Sequence, residues 1–238
     1  MNFIKPTSLP FSLAVLVLSL SCKADSFQFI GKAFDLNSGA LLYQEHHRVT
    51  LNQYNQYEQT QVTYTDKKGN VFATKQLDFS DALLVPRVRF VDTRSDVTLK
   101  IEHEDRDIKV VYQDSRDSLK ANIKYRQKMV VDAGFDQLLL EQWEQVLNGN
   151  TIEFEFLAPT RGELIDFSLI PIAQTDKDIE FDLQPSNFLI RLLVDPIKLT
   201  YDKKHKRILR YEGLTNIEDE SKDGDYFVAK IEYEYTDH

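Results

Sequence analysis

The chain has 238 residues, with 38 Asp and Glu against 29 Lys and Arg and a net charge of −9, a balance that disfavours nucleic acid and anionic head groups as partners. Cys22 is its single cysteine, which excludes an internal disulfide and any zinc site built on several thiolates. Nucleotide-binding glycine motifs, a P-loop and a Gly-x-Ser-x-Gly elbow are all absent, so no cofactor is expected.

Residues 1–24 read as a secretory signal peptide. Lys5 gives a positive start, and Phe11 to Leu20 is an apolar run broken by Ser12 and Ser19. Small residues follow at Ser21, Cys22 and Ala24, and the first acid is Asp25. The run is short of the roughly 20 apolar residues that cross a bilayer, so no transmembrane span is predicted. Cleavage after Ala24 leaves residues 25–238 as one periplasmic domain; losing Lys5 and Lys23 then takes the charge from −9 to −11. Leu18-Ser19-Leu20-Ser21-Cys22 offers the alternative of a loose lipobox, with Ser19 where leucine is usual. Lipidation of Cys22 makes the product an outer-membrane lipoprotein. The two sites stay open.

From residue 26 onward apolar and polar residues alternate with period two, the pattern of antiparallel strands with one wet face. Ala121, Ile123 and Tyr125 form one such row; Ile152, Phe154 and Phe156 another; Ile179, Phe181 and Leu183 a third; Phe227, Ala229, Ile231, Tyr233 and Tyr235 a fourth. Asn37-Ser38-Gly39, Asp66-Lys67-Lys68-Gly69 and Asp202-Lys203-Lys204-His205 read as hairpin turns. Phe188 to Val194, apolar on both phases apart from Arg191, is expected as a central strand. Phe135, Leu139, Trp143 and Val146 or Leu147 fall at helical spacing, with Asp132 as cap, Gly149 past the end, and Gln137, Glu141, Gln142 and Glu144 on the polar face. Together these predict a mainly β fold: a curved antiparallel sheet, half-barrel or open barrel, of about a dozen strands with one packed amphipathic helix.

Five histidines are present, the last at the C-terminus. His46 and His47 cannot both face one way on a strand, and Glu102-His103-Glu104-Asp105 reads as a solvated turn, so no metal site is expected. No acid, base and nucleophile converge in the pattern, which argues against an enzyme. The informative residues are ionisable groups on apolar strand faces. Glu45 and His47 share the phase of Leu41, Tyr43, Val49 and Leu51. Lys75 shares that of Val71, Ala73, Leu77 and Phe79, and Arg191 lies between Leu189 and Leu193. Charges so placed are costly unless paired, and Lys75 or Arg191 is the expected partner of Glu45. Such a group either fixes strand register or anchors the head group of an amphiphile in an apolar cavity.

Phe29-Ile30-Gly31-Lys32-Ala33-Phe34-Asp35, Gly39 to His47, Lys75 to Ser80, Asp132-Ala133-Gly134-Phe135-Asp136 with Trp143, and Arg207 to Asn216 together resemble a family of uncharacterised exported proteins of Gram-negative bacteria. That resemblance implies export and no assigned activity. Arg207-Ile208-Leu209-Arg210-Tyr211, after the Asp202 turn, is similar to the close of the lipoprotein-carrier half-barrels, which implies a curved sheet around an apolar cavity closed by helix. Two functions are carried forward. One is a non-enzymatic periplasmic protein binding a lipid or other amphiphile through Glu45, His47, Lys75 and Arg191. The other is an envelope structural or assembly protein acting through protein–protein contacts.

Overall fold

A computed structural model describes residues 25–191, 195–222 and 225–236; the expected signal peptide, with Cys22, lies outside them. Eight strands follow one another first: β1 (Ser26–Asp35), β2 (Leu41–Leu51), β3 (Tyr57–Thr65), β4 (Val71–Asp78), β5 (Arg87–Asp92), β6 (Val97–Glu104), β7 (Asp107–Gln113) and β8 (Ser118–Lys124). The two-residue β9 (Met129–Val130) then leads into the helices α1 (Gly134–Glu141) and α2 (Trp143–Leu147). The second half runs β10 (Ile152–Ala158), β11 (Glu163–Gln174), β12 (Asp178–Pro185), the single turn α3 (Phe188–Arg191), β13 (Ile197–Asp202), β14 (Arg207–Glu218) and β15 (Tyr226–Tyr235).

All these strands form one open sheet in the order β8-β7-β6-β5-β4-β3-β2-β1-β15-β14-β13-β12-β11-β10-β9. Neighbours are antiparallel except β9, which lies parallel to β10 at the edge. The first and last strands pair in the middle of the sheet, from Phe29 opposite Tyr235 to Asp35 opposite Ala229. The hairpin turns fall where the turn residues demand. Gly39 and Gly69 take positive φ of 68° and 85°, a region open to glycine at no steric cost. The Asp66 carboxylate accepts the backbone N–H groups of Lys68 and Asn70.

The sheet is strongly curled. Seven strand spacings separate β2 from β10, about 34 Å if the sheet were flat, yet Glu45 on β2 and Phe154 on β10 line the same cavity. The ends come close enough to touch: a Cβ on Gly162, in the β10–β11 turn, would lie 2.8 Å from the Ala121 Cβ on β8. Arg126 also reaches Glu155 at 2.6 Å. Apolar side chains of β5 to β8 and of β9 to β11 share one core cluster around Ile101, Ile108, Val110 and Leu157.

The interior is closed by the segment that carries α1 and α2. Val131 N–H donates to Leu84 O at 2.9 Å, and Leu139, Trp143 and Val146 are buried against Phe154, Leu169, Phe181 and Leu199 of the sheet. The helix differs from expectation in three ways. It breaks at Gln142 into two pieces, the Asp132 side chain makes no capping bond to it, and Gln137 is buried. Asp132 instead occupies φ +46° just ahead of the helix, a conformation that short polar side chains tolerate.

The expected central strand at Phe188 to Val194 is overturned over its described part. Asn187 Oδ1 accepts the Leu189 N–H at 2.9 Å, and Asn187 O accepts the Arg191 N–H at 3.1 Å. These bonds start one helical turn, the usual effect of asparagine at such a position. An apolar run of that length fits a short helix as well as a strand by periodicity alone.

Candidate functional site

A cavity of about 400 Å³ lies between the curled sheet and α1. Its walls are apolar side chains from strands far apart in the chain, among them Phe29, Val49, Leu77, Phe154, Leu199 and Ile231. Alternation brings them together: each is an inward residue of a strand whose next residue faces out. Into this apolar chamber project five charged or chargeable side chains, Glu45, His47, Lys75, Asp132 and Asp136, each with a partner.

Lys75, on β4 opposite Val62 of β3 and Phe90 of β5, donates to Asp132 Oδ2 at 2.9 Å and Oδ1 at 3.2 Å. Its side chain is 12 % exposed and that of Asp132 23 %. Burial alone would push the ammonium toward neutrality, but the Asp132 carboxylate outweighs it and holds the lysine above its ordinary value. Asp132 Oδ1 also accepts the Ala133 N–H at 2.8 Å, which fixes the carboxylate at the head of α1.

Glu45, 6 % exposed, is met by its own strand. His47, two residues on and therefore on the same face, donates from Nε2 to Glu45 Oε2 at 3.0 Å. The imidazole stacks on Phe29, with centroids 4.2 Å apart and planes 10° from parallel, and meets the edge of Tyr233 at 6.1 Å. Asp136 projects from α1 and accepts the Tyr201 hydroxyl. Burial raises the Asp136 carboxyl above the usual range; the Tyr201 hydrogen bond and the charge of His47 act the other way without cancelling it. Burial likewise raises the phenols of Tyr57, Tyr64, Tyr201, Tyr211 and Tyr233, so they stay neutral.

Of the residues singled out from strand phase, Glu45, His47 and Lys75 line this one cavity. Arg191 does not. It sits on α3, exposed, with its guanidinium 5.8 Å from the Phe188 ring, because the strand that would have turned it inward is a helical turn. The expected pairing of Glu45 with Lys75 or Arg191 is replaced by Glu45 with His47 and Lys75 with Asp132. Sequence reasoning treated Asp132 as a cap and passed over Asp136 and Tyr201. Asp136 carried a readable signal: it precedes Leu139 by three residues and Trp143 by seven, which places it on the apolar face of the helix. Tyr201 had none beyond alternation with Leu199.

An apolar wall with a few polar groups set in it is the usual composition of a small-molecule site. Among the described residues no three His, Cys, Asp or Glu groups converge as a metal set. No described helix is long and apolar enough to cross a membrane. Compared with protein-family models, curated proteins and solved structures, the chain matches none.

Proposed function

We propose that the chain is a non-enzymatic, exported carrier that shelters a lipid or other amphiphile inside its curled sheet. The observation that carries this is the cavity of about 400 Å³ with Glu45, His47, Lys75 and Asp132 set in an apolar wall. Buried ionisable groups are costly, and a register device needs no empty volume beside it. The volume falls within the usual range for ligand sites, about 300–1,000 Å³. Leu214, which lines the cavity and is 53 % exposed, marks its rim.

Native mass spectrometry on protein recovered from its own cells tests the proposal. The expected result is an added mass that organic solvent removes and that a supplied amphiphile restores. Protein that carries no added mass and takes up no amphiphile overturns it. The exposed Phe188 and Leu189 on α3, at 61 % and 69 %, favour a second reading, an envelope assembly protein that meets a protein partner there. It predicts that Phe188→Ser with Leu189→Ser abolishes co-purification of that partner without touching amphiphile uptake.

A further inference from the structure

A second cavity, of about 360 Å³, adjoins the first. The two share a wall formed by Lys75 and Asp132, by Phe156 and Phe167, and by Leu214 to Asn216 of β14. The β14–β15 register shifts between Leu214 and Glu218, so this stretch leaves the regular ladder where the two chambers meet. Beyond the junction the second lobe is lined by Phe90, Val97, Leu99, Ile101 and Tyr112, the inward residues of β5 to β7.

We propose that the occupant carries two apolar chains, one in each lobe, joined by a short uncharged polar linker that lies against Lys75 and Asp132: the chemistry of a neutral diacylglycerol-type lipid. The proposal rests on the carrier function above and narrows its ligand. An apolar cavity of about 150 Å³ takes one benzene. By that ratio the lobes hold about 16 and about 14 carbon atoms, each the length of one acyl chain.

The charges argue for an uncharged linker. Lys75 is the one lysine or arginine among the described residues lining either lobe, and Asp132 already holds it. The acids are likewise engaged: Glu45 by His47, Asp136 by Tyr201, Asp92 by Arg94 at 3.0 Å and Glu218 by Arg116 at 3.3 Å. An anionic head group would have to strip Lys75 from Asp132 and leave a carboxylate uncompensated in an apolar wall. Ester and hydroxyl groups can accept from Lys75 or donate to Asp132 without breaking the pair, with Thr215 and Asn216 alongside.

The test measures uptake of three probes by the purified protein in native mass spectra and by displacement of a fluorescent diacylglycerol. The probes are a diacylglycerol, the monoacylglycerol of the same chain length, and the corresponding phosphatidate. Expected are one diacylglycerol per protein, up to two monoacylglycerols with at least tenfold weaker affinity, and phosphatidate at least tenfold weaker than diacylglycerol. Leu99→Trp, which fills the second lobe, should abolish diacylglycerol uptake and leave one monoacylglycerol bound in the first. Leu183→Trp should do the reverse from the other side, and unchanged thermal unfolding of either variant shows that the fold survives. A wild type that holds a single monoacylglycerol as tightly as diacylglycerol, indifferent to Leu99→Trp, overturns the two-chain proposal while the carrier function stands. Phosphatidate binding as tightly as diacylglycerol overturns the uncharged linker. Uptake of none of the three overturns the diacylglycerol-type proposal, and the carrier function falls with it only if protein from its own cells also carries no added mass and takes up no other amphiphile.

Discussion

Lys75 Nζ lies 2.9 Å from Asp132 Oδ2, so the cationic group of the cavity wall is tied to the segment that introduces the covering helix, and not to Glu45. Lys75→Met should therefore lower stability by about 3 kcal/mol, the low end for breaking a buried pair, since Asp132 keeps some contact with solvent. Lys75→Met with Asp132→Asn should recover much of that loss, because asparagine tolerates the positive φ at residue 132. Urea unfolding of the single and double variants gives the coupling directly. The same cycle between Lys75 and Glu45 should give a smaller coupling. Equal couplings would mean that Lys75 is shared between the two acids.

Trp143 is 3 % exposed and packs near Tyr201, with ring centroids 6.4 Å apart. It does not line the cavity; it holds α2 onto the sheet. Trp143→Ala should cost about 3–5 kcal/mol, the usual range for emptying a large aromatic site, and should leave amphiphile affinity in the surviving folded protein unchanged. Lost affinity at unchanged stability would make Trp143 a ligand contact instead of a strut.

Strand phase alone was enough to turn Glu45, His47 and Lys75 into one interior, because period-two alternation is a local rule that distant strands obey in common. Which charge meets which was not legible. Glu45 and Lys75 lie on strands separated by β3, and their partners were decided by how the backbone passes residue 132 and by the reach of His47 two positions along. The helix and its break show the same division. The spacing of Phe135, Leu139, Trp143 and Val146 announced a buried stripe, but nothing in it announced that the backbone at Gln142, at φ −100° and ψ 12°, would leave the helical conformation and divide the helix. At Phe188 to Arg191 the local bonds of Asn187 overrode an apolar pattern that fitted a strand, and Arg191 left the site with it.

Gly134 opens α1 against the backbone of the segment between β4 and β5. A Cβ there would lie 2.1 Å from Leu84 O, and a carbonyl oxygen cannot swing aside as a side chain can. Gly134→Ala should cost about 1–3 kcal/mol, as overpacking a tight contact does, and should loosen the cover over the cavity. Faster amide exchange at Val131, whose N–H donates to the same Leu84 oxygen, is the expected local sign. Unaltered exchange there would place the strain elsewhere.

Asp136 predicts a pH dependence whose sign follows from its surroundings. Burial raises its carboxyl above the ordinary 3.8, with a smaller push from the neighbouring Asp132 charge, while the Tyr201 hydroxyl and the charge of His47 pull it down. In the window from about 3.8 up to the raised value, the native state holds a proton that the unfolded chain has released. Stability from this group is thus fully present below the unfolded value and is lost as pH rises through the folded one. Asp136→Asn keeps an acceptor for Tyr201 and removes the titration. The variant should match the wild type near the unfolded value of about 3.8, exceed it by a margin that grows through the window, and keep that margin above the raised value, judged by urea unfolding at intervals across about pH 3.5 to 8. In a His47→Gln background the window should widen, since one of the influences that lower Asp136 is gone. A wild-type minus variant difference that stays flat across the range would mean that the carboxyl titrates alike in the folded and unfolded chain, and that Tyr201 and solvent compensate its burial in full.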